Sequence, residues 1–466
     1  MHDNQQIPYD QGMKYKGIGF ILTAVIVFAS WGLQPAHAYN SNSILPTWAN
    51  SATIYEVNLR QYTEAGTFKA FESHLPRLQK LGVKILWLMP INPISELNRK
   101  GGLGSPYSIA NYKGINPEFG NAADFKSLMT KAHALGFKVV LDWVANHSGW
   151  DNPWTINKSW YHTDSSGNIV PPNNDWTDVA WLNYQNQDMR KAMIDAMSYW
   201  VTAFDVDGFR ADVAGGVPTD FWKQANSQLQ KIKPLFMLAE DQNSTSLLDD
   251  AFIANYNWEL KDLVNSIAAG RADHRDLDAM AANQANNYPA RTFPMNFITN
   301  HDENSWNGTE FERLGAAVPA MAALTFTYPG IPLIYSGQEV GNTKRLAFFE
   351  KDFIPGLSIY NSTTAFYTKL VSLKIKNPAL WNNSKATLVS MASNNNSVIA
   401  YSRSSSSNRV ITVINASANP QTVTLNIGKL ANTYFLFTTG KSKKLATTLT
   451  LTLKPWQYEI YSNKGF

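Results

Sequence analysis

From residue 47 to about residue 378 the chain alternates short, unbroken apolar runs with stretches whose apolar residues recur three or four positions apart. The first pattern is that of a strand buried on both faces, the second that of an amphipathic helix. Strands are predicted at 54–57, 83–89, 138–142, 207–213, 235–240, 295–300 and 331–336. Helices are predicted at 68–81, 124–135 and 189–204, the first two stopping at Gly82 and near Gly136. Strands alternating with helices imply parallel β-α units. About eight of them predict an α/β fold of the TIM-barrel kind, a (β/α)8 barrel, with a doubly wound open sheet as the alternative.

Two breaks in the pattern set the domain organisation. Residues 144–186 are rich in Asn, Asp, Trp and Pro and follow the third strand. A loop that long inside a compact domain is usually functional, and it predicts a short inserted subdomain on the face where the strands end. After residue 382 helical periodicity stops. β-branched runs at 397–402, 409–414, 422–427, 433–437, 447–453 and 458–461 predict an all-β sandwich over 383–466. The main domain then covers 39–382.

The amino terminus reads differently. Lys14 and Lys16 precede an apolar run at 17–31, and Ala36-His37-Ala38 follows as a small-x-small pattern. Residues 1–38 are therefore expected to be a signal peptide with an amino-terminal extension, cut after Ala38. The run is short of the roughly 20 residues of a membrane span. The expected product is secreted, to periplasm or medium, with no membrane span after cleavage.

Composition narrows the chemistry. The formal net charge is +4 among 466 residues, which gives no electrostatic reason to expect nucleic acid. There is no cysteine, so disulfides, thiolate metal sites and a cysteine nucleophile are excluded. Aromatic residues reach 12%, and such rings either fill cores or stack on the apolar faces of sugars.

In a (β/α)8 barrel, chemistry sits where the strands end. The residues there are Asp142 with Asn146 and His147, the run Gly208-Phe209-Arg210-Ala211-Asp212, Glu240 closing Phe236-Met237-Leu238-Ala239, and His301-Asp302. Alone, each has an ordinary reading as a helix cap, an ion pair or a satisfied histidine. Together, at one end of separate apolar strands, they would be costly to bury without a shared task. Glycosidic cleavage needs such a set: one carboxylate for the anomeric carbon, and one carboxylic acid for the departing oxygen. Arg210, two residues from Asp212 and on the same strand face, is expected to hold Asp212 ionised. Glu240 follows an apolar strand without a basic neighbour in sequence and is the better candidate for a raised pKa.

These segments resemble the α-amylase family of glycoside hydrolases over about residues 53–380. Four motifs carry the resemblance: Asp142-x-x-x-Asn146-His147, Gly208-Phe209-Arg210-x-Asp212, Glu240 at its strand end, and Asn300-His301-Asp302. Gly104-Ser105-Pro106-Tyr107 and the run Pro329-Gly330-Ile331-Pro332 to Glu339 support it. The resemblance implies a retaining mechanism with Asp212 as nucleophile, Glu240 as acid and base, and Asp302 gripping sugar hydroxyls. Arg210, His147 and His301 are implied substrate contacts and Tyr107 the stacking platform. It implies action on α-1,4-glucosidic bonds of starch or maltooligosaccharides, and a monomer is expected. A transglycosylase or glucoside isomerase, or a weakly catalytic sugar-binding relative, remains an alternative. Where many members carry a Lys-His pair, this chain runs Val213-Ala214-Gly215-Gly216. The chemistry needs no cofactor. A structural Ca2+ is implied at Asn146 and a loop aspartate, with Asp178 as the substitute because Trp181 occupies the usual ligand's place.

Overall fold

The computed structural model describes residues 45–391 and 395–466; the expected signal peptide lies outside them. Eight strands close into a barrel: β1 Ile54–Val57, β2 Ile85–Leu88, β3 Lys138–Val144, β4 Gly208–Asp212, β5 Phe236–Ala239, β6 Ala254–Tyr256, β7 Phe293–Asn296 and β8 Ile331–Tyr335. Every neighbouring pair is parallel, and β1 pairs with both β2 and β8, which closes the ring in sequence order. Side chains alternate between two cores. Ile54, Ile85, Trp87, Val140, Phe236, Leu238, Met295, Ile331 and Leu333 fill the lumen. Tyr55, Leu86, Leu88, Val139, Leu141, Phe209 and Met237 face the surrounding helices.

The helices follow the expected periodicity with local exceptions. Asn121 caps Ala122–Ala134 through a reciprocal box with Asp124, and Asn186 caps Gln187–Phe204. The helix expected over 68–81 is two, Phe68–Glu72 and Leu75–Leu81. Pro76 lacks the N–H that would bond back to the preceding turn, so the first helix cannot run through it. β6 has only three residues and escaped the periodicity reading; β7 ends at Asn296, so 297–300 already belong to the loop beyond it.

The insert after β3 is pinned by a two-stranded antiparallel ladder, His147–Gly149 against Val179–Trp181. Beyond the barrel come β9 Thr387–Ser390, β10 Val398–Ser405, β11 Asn408–Asn415, β12 Gln421–Asn426, β13 Thr433–Leu436, β14 Ser442–Lys444, β15 Thr448–Leu453 and β16 Tyr458–Ser462. Six of them form one antiparallel sheet in the order β9-β10-β11-β16-β13-β14, and β12 pairs with β15 in a second. Val398, Ile411 and Val413 of the large sheet pack with Val423, Leu425, Leu449 and Leu453 of the small one. The other face of the large sheet meets the barrel's helices. Thr327 and Tyr401 share a buried 2.7 Å hydroxyl contact, and Asn377 donates to Ser462 Oγ at 2.9 Å. This double coverage explains why β11 is buried over Val410–Asn415 on both faces rather than alternating.

Candidate active site

In four strands the lumen-facing column ends in charged groups. In β1 it runs Ile54 then Glu56, in β3 Val140 then Asp142, in β4 Gly208, Arg210, Asp212, and in β5 Phe236, Leu238, then Glu240 just beyond the strand. A period of two therefore delivers the charged groups to one end of the lumen. Gly208 at the base of β4 is required by space. A Cβ there would come within 2.0 Å of the Phe236 carbonyl oxygen.

Arg210 is fully buried at the centre of this layer. Its Nη1 donates to Asp142 Oδ1 at 2.8 Å and to Asp212 Oδ1 at 2.9 Å. Its Nη2 lies 2.6 Å from Glu240 Oε1, and its Nε donates to the Tyr256 hydroxyl at 3.0 Å. Along the sequence Arg210 neighbours Asp212 alone, and Glu240 has no basic neighbour. The fold instead shares one guanidinium among three carboxyls. Glu240 Oε2 also accepts from the Val213 backbone N–H at 2.7 Å. Val213 holds a left-handed backbone, φ 44°, which a β-branched residue adopts only under strain.

The charges follow from this sharing. Burial raises Asp142, Asp212 and Glu240 above the usual carboxylate range, and Arg210 only partly offsets it. Glu240 stands highest, at about 7, because burial acts with the repulsion of Asp212 and Asp302. One positive charge does not hold three carboxylates ionised in a low-dielectric layer, so a proton is retained near neutral pH, and Glu240 is where it is held best.

A second layer surrounds Tyr107. Its hydroxyl donates to Asp142 Oδ2 at 3.1 Å and meets His301 Nε2 at 2.8 Å, with the two rings stacked 5.4 Å apart. Trp87 Nε1 donates to the same Asp142 oxygen at 3.1 Å. His301 Nδ1 bonds Glu56 Oε1 at 2.5 Å, and Asp302 Oδ2 lies 3.3 Å from its Nε2. Burial alone would lower the His301 pKa, yet the carboxylates of Asp302 and Glu56 outweigh it and bring it to about 9, so the ring is an imidazolium. Glu56 was not singled out from sequence, although an acid inside Ile54-Tyr55-Glu56-Val57 is the signal that could have found it. His147 differs: burial lowers it to about 4, leaving a neutral ring whose Nδ1 faces the Asn146 amide at 3.2 Å.

The acids open toward one side. Side-chain exposure rises from 0% at Asp142 through 9% at Asp212 and 16% at Glu240 to 35% at Asp302, so a ligand reaches the last three without entering the lumen. Asp212, Glu240, Asp302, Tyr107, Arg210 and His301 thus form one constellation, with His147 at the start of the insert.

Asn146 and Asp178 are not brought together. They flank opposite ends of the ladder pairing His147–Gly149 with Val179–Trp181, four residue steps or roughly 13 Å of strand apart. Asp178 Oδ1 lies 3.2 Å from the Lys100 ammonium, which also donates to the Asp175 carbonyl. The Asn146 backbone carbonyl accepts from Leu182 N at 3.2 Å. Among the described residues no group of three or more His, Cys, Asp or Glu is placed to hold a metal ion. The two expected ligands do not fit a single shared cation, and a lysine already supplies positive charge to one of them.

The catalytic-domain model described as alpha amylase matches residues 43–178 and 173–393. This chain belongs to the α-amylase family. The C-terminal domain of maltogenic amylase matches residues 389–460. Among curated proteins the α-amylase-family chain is 27% identical over 353 residues to alpha-amylase MalA of Haloarcula japonica, covering 72% of this chain and 50% of that one. It is 29% identical over 299 residues to the intracellular maltogenic amylase of Bacillus subtilis, covering 59% and 49%. It spans about half to two thirds of the length of the curated relatives it matches first. Solved structures superpose over nearly the whole chain. A noncanonic maltogenic alpha-amylase from Thermotoga neapolitana gives a TM-score of 0.80 at 28% identity, covering 89% of this chain and 99% of that one. An alpha-amylase from Lactobacillus plantarum gives 0.79 at 31% identity, covering 90% and 100%.

Proposed function

We propose that this member of the α-amylase family is a retaining hydrolase of α-1,4-glucosidic bonds in maltooligosaccharides and starch fragments, acting outside the cytoplasm. The observation that carries the reading is the sharing of Arg210 among Asp142, Asp212 and Glu240, with Asp302 at the open rim. Asp212 and Glu240 sit side by side on one guanidinium, an arrangement that accommodates the about 5–5.5 Å spacing of retaining glycosidases. Asp212 attacks the anomeric carbon as Glu240 passes its proton to the departing oxygen. Glu240, now a carboxylate, then takes a proton from the water that opens the glycosyl-enzyme ester. His301, held as an imidazolium by Glu56 and Asp302, sets a positive charge beside the reacting sugar, and His147 lines the site as a neutral ring. Tyr107 stacks beneath the sugar. The maltogenic character of several relatives favours short products, and secretion rests on the pattern of Lys14 to Ala38.

The test is incubation of the chain from Tyr39 onward with soluble starch and with maltotriose. Products are resolved by size, and their first-formed anomer is read by proton NMR. Short saccharides released as the α-anomer are expected. The β-anomer as first product overturns the retaining mechanism, and accumulation of saccharides longer than the substrate assigns the site to glycosyl transfer instead.

A further inference from the structure

An aromatic surface continues outward from Tyr107, and its outer members have no part in the chemistry above. Trp306 stands four residues after Asp302 in the loop following β7 and is 52% exposed. Its ring centroid lies 5.1 Å from that of Phe348 and 5.8 Å from that of Phe349, both in the loop following β8. Phe348 in turn lies parallel to Tyr107, with centroids 6.2 Å apart and planes 10° from coincidence. The series Tyr107, Phe348, Trp306 is therefore continuous, and its inner end touches Asp142 and His301.

This corner is built rather than loose. Ser305 Oγ donates to the Leu346 carbonyl at 3.0 Å, the Asn304 amide donates to the Lys344 carbonyl at 3.1 Å, and Leu346 N donates to Asn304 Oδ1 at 2.8 Å. Three hydrogen bonds thus fasten the two residues before Trp306 to the β8 loop. A braced Trp leaving half its surface in water has an open ring face, and such a face matches the C–H face of a pyranose.

We propose that Trp306, backed by Phe348 and Phe349, is a stacking platform for a glucosyl unit on the non-reducing side of the cleaved bond, beyond the unit held over Tyr107. The side follows from the donor. Glu240 on β5 must face the glycosidic oxygen, so the leaving part of the substrate extends from the β5 side, whereas Trp306 lies with β7 and β8. The distance follows from the ring series, since each centroid step from Tyr107 outward is of the order of one sugar ring. The ligand is an α-1,4-linked chain of at least three glucosyl units. The inference rests on the α-glucosidic reading of the site and adds a preference for chain length.

Aryl substrates with one leaving group separate the two. The specificity constant kcat/KM is measured for 4-nitrophenyl α-glucoside, α-maltoside and α-maltotrioside with the native chain, Trp306→Ala and Trp306→Phe. The maltotrioside-to-glucoside ratio is expected to fall about tenfold or more in Trp306→Ala and to be largely kept in Trp306→Phe, as loss of one stacking anchor implies. A ratio unchanged within about twofold in Trp306→Ala overturns the inference while leaving the hydrolase reading intact. Failure of the native chain on all three aryl substrates and on maltotriose counts against the hydrolase reading. Titration of maltotriose into Asp212→Asn and into Asp212→Asn with Trp306→Ala or Trp306→Phe, by calorimetry, gives a second measurement independent of turnover. Equal affinity of all three proteins also overturns the platform.

Discussion

Arg210 carries one charge and meets three carboxyls, so the protonation of the site is set by competition rather than by a pair. Burial raises Asp212 and Glu240, and the sign of the pH dependence follows. As pH rises through about 7, Glu240 loses the proton it must donate. As pH falls through about 6, Asp212 gains one and ceases to be a nucleophile. A narrow bell in kcat/KM between these values is expected, its limbs belonging to the cluster rather than to single residues. Glu240→Gln should abolish the basic limb and lower turnover by about 10²–10⁴-fold. Asp212→Asn should lower it at least as far, with an unchanged melting transition in both variants; near-native turnover in either would mean that the residue was wrongly assigned. Glu56→Gln removes one of the two carboxylates that keep His301 charged. The His301 pKa, followed by NMR of its ring protons, is expected to fall relative to the native chain, since the Glu56 carboxylate is among the groups that raise it. An unshifted titration would show that Asp302 alone sustains it.

At the scale of elements, Lys100 ties the insert to the loop after β2 through Asp178 and the Asp175 carbonyl. Lys100 is about a third exposed and Asp178 nearly buried, which leaves the pair worth about 1 kcal/mol after solvent screening. Lys100→Met is expected to lower the melting temperature by a degree or two, with KM for maltotriose raised more than kcat is lowered. Excess chelator should leave the melting temperature of the native chain unchanged; a drop of several degrees would show a bound cation after all. The elements also mark where periodicity was informative. Long buried runs such as 138–144 announce a strand unaided. The three residues of β6 do not, because a strand that short has no period to detect. The break between Phe68–Glu72 and Leu75–Leu81 was readable from Pro76 but lay within an otherwise helical pattern.

For the whole molecule, the carboxy-terminal domain is part of the barrel's packing. Tyr401 bonds Thr327 beneath the barrel, and Asn377 reaches both the Arg409 carbonyl and Ser462. Ending the chain after residue 382 would uncover apolar surface of helix Val318–Thr327, whose residues are all buried except Pro319. The truncated protein is expected to be insoluble or to bind a hydrophobic dye strongly. A soluble, fully active truncation would show that the barrel folds alone.

The sequence by itself determined the alternation of strands and helices and the change to β-branched runs near residue 382, and it singled out Asp212, Glu240, Asp302, Tyr107, Arg210, His147 and His301 as candidates for one site. Those follow from local period and from motifs a few residues long. Only the tertiary structure decided that Arg210 serves three acids, that Glu56 holds His301, that Lys100 reaches Asp178 while Asn146 lies at the far end of its ladder, and that Trp306 joins the aromatic surface at Tyr107. Each of these pairs residues at least 30 positions apart in the chain or more than one partner at once. The closed ring of strands sets such distances, and no window along the sequence contains them.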